Sequence, residues 1–378
     1  MKTNSLFDGL HTTIPSTEGI KYAGSKLKLL PQIISLCDGL KVESILDGFS
    51  GSTRVSQAFA QLGYNIIASD ISLWSYTIGN CYLKNVKKPS EFSELINHLN
   101  SLQGYDGWFT ENYGGYDLEG SAIQLDGSKK PWQVKNTRKL DAIRNEIDKL
   151  ELDEHTKSVA LTSLILAMDK VDSTLGHFTS YLKKWSPRSY NDVKLEVPKL
   201  FINEQDNQVL KGDIFETLKN AECDFAYLDP PYGSNNEKMP PSRVRYSSYY
   251  HIWTSIIEND QPSIFGAAGR REDTRDTVSG SVFEEYRKDD DGHFIAVRAI
   301  ERLIKEVKAR YVSLSYSSGG RATTNELNDI LMNNGDLIKV IEVDYKKNVM
   351  AGMKWTDEWL RDAEEPNREF IFLLEKKL

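Results

Sequence analysis

The stretch from Asp224 to Gly233, DFAYLDPPYG, places an acid, two prolines and a tyrosine directly after an apolar run. An apolar run that ends in Pro-Pro predicts a buried strand and then a stiff turn, which would present Asp229 and Tyr232. A carboxylate, the Pro230 carbonyl and an aromatic ring suit a flat heteroaromatic amine that needs hydrogen bonds at its edge and stacking on its face. Adenine fits this description. A plain Pro-Pro turn, with Asp229 as a turn acid, is the alternative.

A second candidate site begins at Asp47, in the sequence DGFSGST, which we call the glycine loop. We expect a strand before it, bends at Gly48 and Gly51, and a helix from Arg54 to Leu62. Such a loop lets a ligand approach the backbone and the helix N-terminus, although the three-glycine spacing of dinucleotide-binding loops is missing. Asp70 ends the next predicted strand, where an acid can hold both hydroxyls of a ribose. By themselves these residues fit a structural turn and helix cap equally well.

Loops of this kind connect the strands and helices of an alternating α/β fold. The alternating pattern occurs before and after a long stretch, between Asp70 and Asp213, in which it is absent. Before it, the sequence KYAGSK from Lys21 to Lys26, which we call the N-terminal segment, predicts a tight turn ahead of an apolar helix. After it, KGDIFETL carries Asp213 and leads into the strand that ends at Asp229. Further helices are predicted at residues 293–309 and 323–333, and further strands at residues 310–316, 336–343 and 369–375.

The interruption between Asp70 and Asp213 reads as helices and irregular segments, which we interpret as an insertion in the α/β domain. Helices are predicted at residues 91–102, 137–152 and 155–171, and the last is apolar nearly all round, which indicates burial. A polar stretch from Ser234 to about Asp291 is too long for an ordinary connection. Loops of that size usually carry function or are disordered.

Composition limits the class of protein. The 378 residues, 39% hydrophobic and 27% charged, are typical of a soluble globular chain with one large domain plus an insertion, or two unequal domains. No apolar run approaches the roughly 20 residues that span a bilayer, and the first residues lack a signal-peptide core, so we expect a cytoplasmic protein away from membranes. Three dispersed cysteines predict reduced structural thiols and no zinc. The net charge of −8 leaves DNA open as a partner, because DNA binding needs only a local basic face.

The order of the N-terminal segment, the glycine loop, Asp70, Asp213 and DPPY resembles the Dam-like, amino-methylating DNA adenine-N6 methyltransferases of bacterial restriction-modification systems. The resemblance implies a Rossmann-like α/β fold that binds S-adenosylmethionine, with a mostly parallel seven-stranded sheet and a largely helical inserted recognition domain. It covers mainly residues 19–80, 205–233 and 308–376.

The resemblance also implies a division of the chain. The catalytic domain would comprise residues 1–80 and 205–378. Residues 81–204 would form the candidate DNA-recognition region, and residues 234–291 a long loop that contacts DNA.

Positions that match the family's motifs imply roles for single residues. No metal site is implied. The residues implied for S-adenosylmethionine are Tyr22, Lys26, Asp47, Phe49, Gly51, Asp70 and Asp213. Among them, Asp70 would hold the ribose and Asp213 would lie near the adenine amino group of the cofactor. The residues implied for the target base are Asp229, Pro230, Pro231 and Tyr232. Two departures are that the family often has tryptophan at the place of Tyr22 and glycine at the place of Ser52 or Thr53.

Three stretches mix basic and aromatic side chains, namely Lys129 to Lys139, Tyr181 to Arg188, and Arg243 to Tyr250, which Arg270 and Arg271 follow. Basic side chains provide affinity through phosphates, and arginine provides sequence choice at guanine edges. Ordinary solvated surface is the alternative. The candidates for DNA binding are Lys183, Lys184, Arg188, Arg243, Arg245, Arg270 and Arg271.

The sequence therefore predicts a site-specific enzyme that transfers a methyl group from S-adenosylmethionine to N6 of a flipped adenine in double-stranded DNA. A cognate restriction endonuclease would be its functional partner. The nearest alternative is the same chemistry on cytosine N4, an RNA base or a protein glutamine. An alternative of another class is a catalytically silent DNA-binding module, which the intact Asp229, Tyr232 and Asp47 argue against.

Overall fold

The computed structural model describes residues 13–233, 246–275, 280–344 and 368–377. The strands are β1 (Ser44–Asp47), β2 (Asn65–Asp70), β3 (Gly114–Gly115), β4 (Trp132–Gln133), β5 (Gln208–Lys211), β6 (Glu222–Leu228), β7 (Ile264–Phe265), β8 (Arg270–Arg271), β9 (Lys308–Ser317), β10 (Gly335–Asp344) and β11 (Arg368–Lys376). The helices are α1 (Leu30–Ile34), α2 (Arg54–Gln61), α3 (Leu73–Leu83), α4 (Ser93–Ser101), α5 (Trp108–Tyr113), α6 (Val134–Lys149), α7 (Glu154–Lys170), α8 (Ile214–Asn220), α9 (Tyr246–Tyr249), α10 (His251–Glu258), α11 (Ile295–Glu306) and α12 (Thr324–Asn334).

Seven strands form one sheet in the order β10-β11-β9-β6-β1-β2-β5. The pairs β1–β2, β1–β6, β2–β5 and β6–β9 are parallel, whereas β11 runs antiparallel to both of its neighbours. The predicted Rossmann-like, mostly parallel seven-stranded sheet is confirmed. The chain proceeds from β1 to β2 on one side, and β6 pairs with β1 on the other. Such a switch of direction opens a crevice outside the carboxyl ends of the strands.

Each face of the sheet is covered by helices, because successive strand residues point to opposite faces. On one face, Leu46 and Leu228 pack in a cluster with α8, α11 and α12. On the other face, Ile45 and Phe225 pack with α1 and α2. Burial on both faces explains why the central parallel strands are apolar runs rather than alternating patterns.

A third core joins α3 to the inserted helices α4 to α7. The helix α7 is buried nearly all round, as its composition predicts, and the observed helix bounds differ from the predicted ones by only a few residues at each end. Between Val171 and Asn207 the chain forms a short 3-10 turn, Pro187–Tyr190, and two isolated β-bridges, at Thr174–Tyr181 and Ser121–Lys184, so this part of the chain is mainly irregular. Within the described ranges, no helix combines the length and the apolar character needed to cross a membrane.

The polar stretch 234–291 contains regular structure that was not predicted. The helix α10 lies in it and buries Ile252, Trp253 and Ile256 in the third core, where the Trp253 ring centroid lies 4.8 Å from that of Phe178. The apolar run that forms α10 is short and flanked by polar residues, which hid its helical spacing. Residues 234–245 and 276–279 of this stretch lie outside the described part of the chain.

Candidate active site

A cavity of about 660 Å³ lies at the carboxyl ends of β1, β2, β5 and β6. The N-terminal segment, the glycine loop and the turn after β6 all reach it. The structure thus brings together, around one cavity, every residue that the sequence assigned to catalysis or to the cofactor, namely Tyr22, Lys26, Asp47, Phe49, Gly51, Asp70, Asp213, Asp229, Pro230, Pro231 and Tyr232.

The glycine loop connects β1 to α2 with a backbone that requires small residues. Gly51 has a φ of 46°, and a Cβ added there would lie 3.2 Å from the Tyr22 ring. The Gly51 N–H donates to the Asp70 carboxylate at 2.8 Å, which ties the loop to the end of β2. Thr53 has a φ of 58°, in the left-handed region that favours glycine, so the loop keeps a glycine-like conformation where glycine itself is missing.

Two carboxyl groups at the ends of β1 and β2 give the cavity its acidic character. Asp47 accepts hydrogen bonds from the backbone and the hydroxyl of Ser56, at 3.2 and 2.5 Å. Asp70 accepts from the N–H groups of Gly51 and Ser72, both at 2.8 Å. Burial raises the pKa of Asp47 to about 7 and also raises the pKa of Asp70, although their hydrogen bonds oppose the rise. A cation in the cavity would favour the ionised carboxylates, so the site suits a positively charged ligand.

The wall beside β5 combines polar and apolar residues. Asp213 caps α8 by accepting from the Phe215 N–H at 2.8 Å. Ile71, which directly follows Asp70, is 72% exposed and lines the cavity, as does Phe283. The ring of Phe283 packs edge-on against Phe49 with centroids 5.2 Å apart. Neither Ile71 nor Phe283 was predicted from the sequence. The position of Ile71 directly after a strand-end acid was its only signal, and Phe283 lies in the long polar stretch.

The DPPY segment (Asp229 to Tyr232) follows β6 and meets a lysine and a second carboxylate. Lys26 Nζ lies 2.8 Å from Asp229 Oδ2 and 3.2 Å from Glu369 Oε1. The Tyr232 hydroxyl accepts from Lys26 at 2.9 Å, lies 2.6 Å from Glu369 Oε1 and also bonds to Asp229. The structure therefore pairs Lys26, which the resemblance assigns to the cofactor, with the acid assigned to the target base. Sequence analysis missed Glu369, whose signal is an acid at the start of an otherwise apolar strand.

Burial and charge set the protonation of this cluster. Burial raises the pKa of Asp229, while Lys26 opposes the rise and Glu369 adds to it. Burial favours a neutral Lys26 amine, but Asp229 and Glu369 outweigh that effect and raise the pKa of Lys26. Burial, followed by the two carboxylates, raises the pKa of Tyr232 well above its usual range. The cluster therefore contains an ammonium ion and a neutral phenol that keeps its proton.

An aromatic wall lies opposite the acids, on the side of the N-terminal segment. The Tyr22 ring lies 5.4 Å from Trp74, 5.5 Å from Tyr246 and 5.0 Å from Tyr250, measured between centroids. The Tyr250 hydroxyl accepts from the Ala23 N–H at 2.7 Å. The sequence grouped Tyr246 and Tyr250 with basic residues as a DNA-contacting stretch, and the structure places both rings against Tyr22.

Three candidates for DNA binding lie together in the second half of the inserted region. Lys183 and Lys184 are exposed. Arg188 is partly exposed, and its guanidinium donates to the Asp172 carboxylate at 2.8 Å and to the Thr174 carbonyl at 2.7 Å. The two lysines thus lie on the surface, whereas Arg188 also has a structural partner.

The other candidates differ in their surroundings. Arg270 donates to the Ser248 hydroxyl at 2.5 Å, and its guanidinium lies 4.9 Å from the Phe265 ring centroid. Arg271 is buried and pairs with three carboxylates, which favours a structural role over contact with phosphate. Arg243 and Arg245 lie outside the described residues.

Comparison with known proteins connects this site to a family. A family model described as D12 class N6 adenine-specific DNA methyltransferase matches residues 22–288. Modification methylase StsI of Streptococcus sanguinis is 28% identical over 87% of this chain and 48% of its own. Type II methyltransferase M.NlaIII of Neisseria lactamica is 27% identical over 87% of this chain and 92% of its own. Type II methyltransferase M.FokI of Planomicrobium okeanokoites is 24% identical over 95% of this chain and 53% of its own.

The relatives differ in how much of their own length this chain covers. The chain spans about half the length of the StsI and M.FokI methylases and nearly all of M.NlaIII. The family match extends from the N-terminal segment through the glycine loop and DPPY, and it covers more than half of the chain. The chain therefore belongs to the D12 class of N6 adenine-specific DNA methyltransferases.

Proposed function

We propose that the protein transfers a methyl group from S-adenosylmethionine to N6 of a flipped adenine within a specific sequence of double-stranded DNA. The observation that carries this proposal is the single cavity that the strand-end acids Asp47 and Asp70 share with Asp229 and Tyr232. A methyl donor and its acceptor must meet in one water-poor space, and this cavity has room for both.

The residues fit S-adenosylmethionine by chemistry. Asp47 is buried and Asp70 is partly buried, and a cationic ligand beside them would favour the ionised form of both carboxyl groups. Asp70 lies where an acid holds a ribose, and Ile71 with Ile214 offers apolar contact to a purine. When bound, S-adenosylmethionine supplies a methyl group activated by its sulfonium.

The chain supplies alignment for the acceptor. The amine of adenine is a poor nucleophile because its lone pair is delocalised into the ring. Asp229 and the Pro230 carbonyl would accept its two N–H groups and favour a pyramidal nitrogen with the lone pair directed at the methyl group. Holding two reactants in this way lowers a barrier by roughly 7 to 11 kcal/mol. The nitrogen then loses one proton, for which the Asp229 carboxylate is the adjacent acceptor.

Extraction of the base from the duplex costs the free energy of its stacking and pairing, which contacts in the site must offset. Stacking on an aromatic ring contributes about 1 to 3 kcal/mol per base, and Tyr232 is the ring in the DPPY segment. Its ring packs against Tyr316 at a centroid distance of 4.7 Å, which limits its freedom before the base arrives.

DNA contact would come from residues 81–204 and from the described part of residues 234–291, with Lys183 and Lys184 on the surface of the former. A restriction endonuclease as a functional partner is in keeping with relatives named modification methylase and type II methyltransferase.

The test is incubation of the protein with tritiated S-adenosylmethionine and mixed-sequence duplex DNA, followed by nucleoside analysis. We expect label in N6-methyladenine. Label in N4-methylcytosine, in RNA or in protein would replace adenine with one of the alternative acceptors. Cofactor binding without transfer to any of these would indicate a silent DNA-binding module.

The variant Asp229→Ala separates catalysis from cofactor binding. Because Asp229 would contact the target amine, we expect transfer to fall by at least about 100-fold, the size seen when a preorganised polar group is removed. Calorimetry should find S-adenosylmethionine affinity largely kept. Asp38→Ala, a change of an exposed aspartate, is the matched control and should keep full activity. Undiminished turnover in Asp229→Ala would remove Asp229 from its proposed role.

A further inference from the structure

The Glu369 carboxylate lies in the site because β11 is reversed. The parallel strands β6 and β9 end on the side of the sheet where the cavity lies, whereas β11 runs antiparallel to β9 and therefore begins on that side. Glu369 is the second residue of β11 and is 7% exposed. The Ser315 hydroxyl of β9 donates to its Oε1 at 3.0 Å, which fixes its orientation. An acid this deeply buried is retained only where it has polar partners.

Two carboxylates compete for one phenol proton in this cluster. A tyrosine hydroxyl carries a single hydrogen to donate. Both Asp229 Oδ1 and Glu369 Oε1 lie within hydrogen-bond distance of the Tyr232 oxygen, the latter at 2.6 Å. Lys26 is shared in the same way, since its ammonium contacts Oδ2 of Asp229 and Oε1 of Glu369. The Tyr232 hydroxyl can therefore turn its hydrogen from one carboxylate to the other and still donate one hydrogen bond.

This competition matters because Asp229 must accept an N–H group from the target amine. Before the base arrives, one Asp229 oxygen contacts Tyr232 and the other contacts Lys26. If Asp229 were the only carboxylate, an incoming amine that took the place of Tyr232 or Lys26 on an Asp229 oxygen would leave that donor unsatisfied. With Glu369 present, the displaced donor has another acceptor already in place.

We infer that Glu369 is a positioning residue for methyl transfer, which takes over the hydrogen bond of the Tyr232 hydroxyl and part of the Lys26 ion pair so that Asp229 can accept the target amine. The inference rests on the proposed function and adds a residue of the last strand to it. Glu369 itself touches neither substrate in this arrangement.

The test compares Glu369→Ala with Glu369→Gln and with Glu375→Ala, an exposed acid of the same strand that pairs with Arg310. We expect kcat to fall about 10- to 100-fold in Glu369→Ala, the effect of one buried donor left unsatisfied. Glu369→Gln keeps an oxygen that can accept from Tyr232, so its loss should be smaller. Glu375→Ala should match the wild type.

Three further measurements separate positioning from stability. S-adenosylmethionine affinity should stay near the wild-type value in both Glu369 variants, since Asp47 and Asp70 are unchanged. Thermal unfolding identifies a temperature at which both variants are folded, and kcat is compared at that temperature. Fluorescence of 2-aminopurine placed next to the target adenine, whose N6 amine stays intact, should report less base capture in Glu369→Ala. A fall in kcat that is matched by an equal fall in cofactor affinity would overturn the inference in favour of a structural role.

A double-mutant cycle tests the transfer of the hydrogen bond itself. In a Tyr232→Phe background there is no phenol proton to transfer, so adding Glu369→Ala should cost less than it does in the wild type. If the fold-loss of kcat in the double variant equals the product of the fold-losses in the two single variants, the inference is contradicted. Absence of methyladenine with wild-type protein would overturn the proposed function and this inference together, whereas active wild type with an equally active Glu369→Ala would overturn the inference alone.

Discussion

Asp47 illustrates how much of this site is decided by the environment of single residues. Its carboxyl lies at the end of β1, 1% exposed, with Ser56 as its hydrogen-bond partner. Burial is the main cause of its raised pKa, and the nearby Asp229 and Asp70 add to the rise. A group with a pKa of about 7 is ionised only in part near neutral pH, so its charge depends on what enters the cavity.

The affinity for S-adenosylmethionine should therefore depend on pH. The cation favours the ionised form, so the bound pKa of Asp47 lies below that of the empty site and binding releases a proton at low pH. We expect affinity about tenfold weaker near pH 6 than near pH 8, as for one linked proton. Calorimetry across this range is the measurement.

Controls for this pH dependence use both the ligand and the residue. S-adenosylhomocysteine, which lacks the sulfonium charge, should show a smaller dependence. Asp47→Asn should lose most of it, because the amide does not titrate. A pH dependence that persists unchanged in Asp47→Asn would assign the proton to another group.

At the level of elements, the site depends on how a loop meets the N-terminal segment. Gly51 and Tyr22 are in contact, and Tyr22 in turn is packed by Trp74 and two tyrosines of the segment that follows residue 245. The N-terminal segment therefore contacts both parts of the site, because its Tyr22 packs on the glycine loop and its Lys26 pairs with Asp229 of the DPPY segment.

Gly51→Ala should disturb this contact. The added Cβ would lie 3.2 Å from the Tyr22 ring, at a φ of 46° that L-residues disfavour. We expect a loss of stability of about 1 to 2 kcal/mol from the backbone and a cofactor affinity about tenfold weaker from displaced Tyr22. Denaturant unfolding and calorimetry measure the two effects.

The matched control is Gly39→Ala. Gly39 has a similar left-handed φ of 77°, but none of the described residues lies within 4 Å of a Cβ added there. It should lose stability by a similar amount and bind S-adenosylmethionine normally. Equal binding by Gly51→Ala and the wild type would show that Tyr22 accommodates the change.

At the scale of the whole molecule, two buried carboxylates of the inserted region bind Lys21 of the N-terminal segment. The Lys21 N–H donates to Asp169 at 2.9 Å, and its ammonium lies 2.8 Å from Asp172. Arg188 pairs with the same Asp172 at 2.7 Å. A candidate DNA contact is thus connected to the cofactor segment through one buried carboxylate, and the surface lysines beside it remain the clearer candidates for phosphate contact.

Replacing Lys183 and Lys184 together by alanine should weaken DNA binding equally for all sequences. If both contact phosphates, the slope of log affinity against log salt should become smaller by about 2. Fluorescence anisotropy over a salt series measures this, with Lys339→Ala on the edge strand β10 as control. An unchanged slope would place the phosphate contacts elsewhere.

The sequence by itself predicted the chemistry of the family and most strands and helices of the seven-stranded α/β fold. Motifs such as DGFSG and DPPY carry their own local geometry, since glycine and proline restrict the backbone directly, and apolar runs predict parallel strands wherever both faces are covered. The acids Asp47, Asp70 and Asp229 could be assigned because each ends such a run.

Tertiary structure alone decided which distant residues complete the site. Glu369 reaches Tyr232 across 137 positions because β11 is inserted antiparallel between β9 and β10, a pairing that no local pattern specifies. Arg271 is an arginine of a polar stretch by sequence, and it becomes a buried structural cation only because Glu258, Asp260 and Asp273 fold around it. Local propensity acts over a few residues, whereas burial and charge pairing depend on the packing of the whole chain.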